Sequence, residues 1–191
     1  EILIGLVGSE MCIRDRYNVQ SSEKEKFDGV MLDIEPYISD SWKENPEEYM
    51  DRYISCMKKG YKFAQKNHLR TAICIPRHYD NQGLTSGLEE LIKETCDEVA
   101  VMNYSCGNEI EAIRTEAALS EKYGKELHCI LEFQEVGKHG LTENKTYRNK
   151  GIDNAKETWE KLQKEYKNIN VTRDYHWSRP VREMLEEKNA D

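Results

Sequence analysis

No stretch of this chain holds the ~20 consecutive apolar residues of a membrane-spanning helix; the longest apolar run is a handful of residues. Basic residues are in deficit, 28 Lys and Arg against 36 Asp and Glu, for a formal charge of −8. A nucleic-acid partner is therefore not expected, because its footprint is a basic patch. No strand-like run is followed by G-x-G-x-x-G or G-x-x-x-x-G-K, so neither common nucleotide-binding loop is present. The six cysteines, at 12, 56, 74, 96, 106 and 129, form no C-x-x-C pair. That excludes a readable zinc ribbon or thioredoxin-like motif. The five histidines show no H-x-x-x-H spacing, and neither a metal nor a cofactor is expected. Against these absences stand 38% hydrophobic and 34% charged residues over 191 positions, enough for one domain with a core or part of a larger one.

The first sixteen residues are set apart. Leu-Val-Gly-Ser-Glu-Met-Cys-Ile-Arg-Asp-Arg, residues 6–16, resembles the conceptual translation of a sequencing-library adapter, and such scars are excluded from fold reasoning. The other reading is an apolar N-terminal strand from Ile2 to Val7. With the segment set aside, the native domain runs from 17 to 191 and its own upstream sequence is missing, so the lack of a leader says nothing about secretion. Five cysteines then remain, an odd number that disfavours a full disulfide framework. Cys74 and Cys129, inside apolar runs, read as free buried thiols.

From Phe27 onward strands and helices alternate. The sequence predicts strands over 27–36, 69–76, 98–104, 127–133 and 169–177. Helices are expected over about 45–67, 88–96, 108–123, 151–166 and 180–188. Asn45 reads as an N-cap, with Pro46 at the first helical position and Glu48 three residues after the cap. Gly124 sits where a helix C-cap glycine belongs. Each strand is an apolar run, the pattern of parallel α/β sheets buried on both faces. A five-stranded flavodoxin-like sheet fits that pattern. So does part of a (β/α)8 TIM barrel, which takes ~250 residues when whole. Five units then correspond to its C-terminal part, strands four to eight.

The chemistry sits at strand ends. Alternation along the first strand places Gly29, Met31, Asp33 and Glu35 on one face. Asp33 and Glu35 are thus neighbours at the C-terminal end of a parallel strand, where barrel enzymes keep their catalytic residues. Two close carboxylates raise one pKa, and a glutamate so raised serves as a general acid near neutral pH. Solvating a strand end or capping the next helix is the plainer role for such a pair.

Phe27-Asp-Gly-Val-Met-Leu-Asp-Ile-Glu35 resembles the fourth-strand signature of glycoside hydrolase family 18, the chitinases and endo-β-N-acetylglucosaminidases, written D-x-x-D-x-D-x-E. Asp28, Asp33 and Glu35 match; Met31 stands in place of the middle Asp. Val101-Met102-Asn103-Tyr104 resembles the sixth-strand M-x-Y, with Ser105 in place of a following Asp. Tyr175-His176-Trp177 resembles the aromatic end of the eighth strand. The resemblance covers about residues 27 to 180. It implies hydrolysis of β-linked N-acetylglucosamine glycans with the substrate's own acetamide as nucleophile. Glu35 is then the acid, Asp33 orients the acetamide, Tyr104 bonds its oxygen and Trp177 floors the sugar, with Met102 beside them. A carbohydrate partner and a secreted or cell-surface location fit the family. Met31 departs from the proton-sharing pair, which weakens, shifts or removes activity.

Two other readings stay open. Counting strands puts Glu132 or Glu135 at the end of the seventh, where the large retaining-glycosidase clan keeps a nucleophile ~5 Å from its acid/base; Ile34 stands where that clan has Asn. The other is a chitinase-like sugar-binding protein without catalysis. Arg77, His78 and Tyr79 follow the second strand and are candidates to line a sugar cleft. Trp42 reads either as an extension of the platform or as packing. Tyr49, Tyr53, Tyr61 and Trp159 read as packing between helices and sheet.

Overall fold

The computed structural model describes residues 16–190. The adapter-like segment, apart from Arg16, and Cys12 with it, lie outside the described residues. Five parallel strands, β1 (Gly29–Asp33), β2 (Arg70–Pro76), β3 (Glu98–Met102), β4 (Glu126–Glu132) and β5 (Val171–His176), form one sheet in the order β1-β2-β3-β4-β5. The helices between them are α1 (Asp40–Glu44), α2 (Pro46–Lys66), α3 (Thr85–Thr95), α4 (Glu109–Ala112), α5 (Arg114–Tyr123) and α6 (Ile152–Glu165); α7 (Ser178–Ala190) follows β5. The chain divides into two compact units, one through Val99 and one from Ala100.

In the first unit, Asn18 ties the lead-in segment to the sheet: its amide donates to the Phe27 carbonyl and accepts the Phe27 N–H, both at 2.8 Å. β1 then pairs with β2 from Gly29↔Arg70 to Asp33↔Cys74. The capping expected at Asn45 is present. Its Oδ1 accepts the Glu48 N–H at 3.3 Å, and its amide donates to the Glu48 carboxylate at 2.9 Å. From there Met50, Tyr53, Ile54, Met57 and Ala64 give α2 one buried face. Gly87 lets α3 close on it, since a Cβ there would meet Met50 Cγ at 2.6 Å. At the foot of the unit the Asp97 carboxylate accepts from the Tyr61 hydroxyl at 2.6 Å and the Thr71 N–H at 2.8 Å, joining α2 to β2.

In the second unit β4 pairs with β5 from Leu127↔Val171 to Glu132↔His176. Trp159 on α6 is 1% exposed and its indole N–H donates to the Cys129 carbonyl at 3.0 Å. Phe133 and Tyr175 stack beside it. Gln163 accepts the Val171 N–H and donates to the Ile169 carbonyl, both at 2.9 Å, so the tail of α6 positions the start of β5.

Three sequence expectations are revised. The single helix expected over 108–123 is two, because Ile113, wholly buried, leaves helical geometry at φ −125° and ψ 19°. α1 had no counterpart in the sequence reading. β2, β3 and β4 are nearly continuous buried runs; at the two ends of the order, β1 alternates between buried and exposed positions, and β5, past buried Val171, between half-buried and exposed ones. Cys74 and Cys129 are free and buried as expected, as are Cys56 and Cys96. No helix among the described residues is long and apolar enough to cross a membrane.

Candidate active site

The carboxylates of the first unit are built by the end of β1. Val30 and Leu32 enter the core, leaving Met31 and Asp33 on the open face. Beyond Asp33, Glu35 turns the chain at φ −106° and ψ 74°, and Pro36 opens a single 3-10 turn over Pro36–Ile38. That turn folds Tyr37 back so that its hydroxyl donates to Glu35 Oε1. Among the described residues no donor reaches Oε2. Burial first, and then the Glu35 carboxylate, push the Tyr37 phenol far above its ordinary pKa, so it stays a protonated donor. Glu35 is half-buried.

The end of β2 supplies the wall. The His78 ring meets Tyr37 edge-on with centroids 5.2 Å apart, and both Arg77 and His78 are half-buried. Burial, followed by the Arg77 charge, lowers the His78 pKa, which keeps the imidazole neutral. Tyr79 corrects the sequence reading. Expected to line a cleft, it is 0% exposed and packs on Tyr37 at 6.2 Å and on Trp42 at 5.5 Å. Trp42 is itself 3% exposed and is a packing residue, not an extended platform. Past Pro76 the period-two alternation of β2 is lost: Arg77 and His78 both stay half-buried near solvent while Tyr79 turns inward.

The second unit gathers its own set at the ends of β3, β4 and β5. Met102 and Tyr104 are half-buried, and the Tyr104 ring lies 5.9 Å from the His176 ring. Trp177, directly after β5, is 45% exposed. It borders a concavity of about 340 Å³ shared with Gln134, Glu135 and Lys138. Of the two glutamates proposed at the end of β4, Glu135 is exposed in the following loop, while Glu132 is 2% exposed. Glu132 Oε1 accepts the N–H groups of Phe133 and Gln134 at 2.8 Å. Its Oε2 accepts from the Gln134 amide at 3.2 Å and meets His176 Nδ1 at 2.8 Å.

Comparison with protein-family models, curated proteins and solved structures finds no match.

Two participants escaped the sequence reading. Tyr37 had a local signal, an aromatic two residues past Glu35 with a turn-forming proline between them. His176 has no local signal beyond its place in the aromatic stretch Tyr175-His176-Trp177. Its partnership with Glu132 depends on the β4–β5 register, for which one sequence holds no signal.

Proposed function

We propose that the chain is the C-terminal part of a (β/α)8 barrel glycoside hydrolase of family-18 type, acting on β-linked N-acetylglucosamine glycans. The observation that carries this reading is Glu35: a half-buried carboxylate just past a parallel strand, one oxygen held by the Tyr37 hydroxyl, two residues beyond Asp33. The strand order supports the barrel. Right-handed crossovers between strands that never reverse their order place every helix on one side of the sheet, whereas a doubly wound fold needs a switch point.

The chemistry follows from the acid and the substrate. The Glu35 proton passes to the glycosidic oxygen as the bond to C1 breaks. The acetamido carbonyl oxygen of the sugar attacks C1 and forms an oxazolinium, whose charge Asp33 stabilises. Water then attacks C1, and Glu35 takes back a proton. Met31 places a thioether where the family pattern has a carboxylate, so Asp33 works without proton sharing along the strand.

The double-glutamate reading is disfavoured by Glu132, whose ~4 acceptor positions face four donors. A nucleophile there must first release one of them. Replacing Glu35 with Gln in the 191-residue chain should abolish release of reducing ends from chitooligosaccharides while leaving their binding intact. Parental turnover in that variant would remove the acid assignment. An analogue lacking the 2-acetamido group should be inert; its cleavage would restore the double-glutamate reading.

A further inference from the structure

The proposed reaction leaves one buried carboxylate of the second unit without a task. Glu132 and His176 face each other directly across the β4–β5 ladder. Burial alone would raise the Glu132 pKa, but the hydrogen bonds from His176 and from Gln134 outweigh it and hold the carboxyl below its ordinary range. An ionised carboxylate only accepts. Nδ1 of His176, which faces it at 2.8 Å, must therefore carry a proton, and Nε2 is the ring nitrogen turned away from the carboxylate. The imidazole side chain is 44% exposed although its carboxylate partner is sealed in.

What lies beside that ring narrows the ligand. Tyr104 lies 5.9 Å away at an interplanar angle of 34°, and the exposed Trp177 ring lies 6.5 Å away at 70°. An open indole with an oriented imidazole next to it suits a pyranose, which offers an apolar C–H face rimmed by hydroxyls. A purely structural closure of two strand ends does not call for such a pair, because apolar side chains would close them without desolvating a charge.

We infer that Glu132 is a positioning residue for His176: the carboxylate holds the imidazole in its Nδ1–H tautomer, and Nε2 accepts a hydrogen bond from a hydroxyl of a carbohydrate seated on Trp177. This assignment rests on the carbohydrate reading above and adds to it a residue pair that chooses which hydroxyl is recognised.

The test uses the 191-residue chain and chitotriose, with calorimetric titration of the parent, His176→Asn, Glu132→Gln and the double variant. Asn can still donate to Glu132 from the Nδ1 position but offers nothing in place of Nε2. His176→Asn should melt like the parent and bind about tenfold more weakly. Glu132→Gln should lose a similar factor, and the double variant no more than either single one, because one residue acts through the other. Nitrogen chemical shifts of His176 should show the Nδ1–H tautomer in the parent, a mixed tautomer in Glu132→Gln, and a chitotriose-induced change at Nε2. Parental affinity in His176→Asn overturns the assignment, as do multiplying losses in the double variant or an unchanged tautomer in Glu132→Gln. Failure of the parent to bind chitotriose removes the carbohydrate reading and this assignment with it, whereas binding that ignores His176 removes this assignment alone.

Discussion

Cys106 shows how much a residue's chemistry owes to its surroundings. It follows β3 in a polar loop, where a thiol reads as accessible and reactive. Yet burial, and then the Glu109 charge, push its pKa up to about 11. Glu109 is pinned there by the Gly107 N–H at 2.9 Å and by the Tyr147 hydroxyl. The thiolate is the nucleophile, so alkylation of Cys106 at pH 8 should run on the order of a hundredfold slower than for an ordinary cysteine, whose pKa is about 8.5. Peptide mapping after timed iodoacetamide exposure measures this, and labelling at the rate of a free cysteine would contradict it. Among the candidate site residues, those named by strand-end position were legible in the sequence. Asp33 ends β1, and Glu35, Tyr104 and Trp177 fall one or two residues past the ends of β1, β3 and β5; period-two alternation puts Asp33 with Met31 on the exposed face of β1. Tyr79 shows why alternation reaches no further: past the end of a strand, only packing decides which way a ring turns.

The elements were legible wherever a local signal ended them. Asn45, Pro46 and Glu48 opened α2 at the expected residue, and Gly124, at φ 62°, closes α5 as a left-handed cap. The break at Ile113 was not legible. Its cause is the burial of one β-branched side chain, a tertiary demand that helical periodicity across 108–123 conceals. Gly87 is another position whose meaning appears only in the packing. Helix propensity alone predicts that Gly87→Ala stabilises α3 by about 1 kcal/mol. The Cβ would sit 2.6 Å from Met50 Cγ, an atom near the root of a side chain that is 1% exposed. Overpacking should win, for a net loss of about 1–2 kcal/mol in urea unfolding. A gain would mean that Met50 moves freely.

At the scale of the whole molecule, the fold class was readable because buried parallel strands have a composition of their own. Strand order was not, since five βα units can wind singly or doubly with the same hydrophobic pattern. Acid stability is set at this scale too. The Glu132 carboxyl is held below the 4.5 of an ordinary glutamate, so its contribution is complete above about that pH and is lost as pH falls through the depressed folded value. The parent should thus lose stability in that window more steeply than Glu132→Gln, as followed by circular dichroism during acid titration; superimposable acid limbs would count against a stabilising hydrogen-bonded carboxylate at Glu132. The three tryptophans divide unequally over this architecture: Trp42 and Trp159 are 3% and 1% exposed, and Trp177 is 45% exposed. Intrinsic fluorescence should therefore consist of a blue-shifted emission that acrylamide cannot reach and a red-shifted one that it quenches. The quenchable part comes from the single indole after β5, and any molecule that settles there will announce itself by shielding that light.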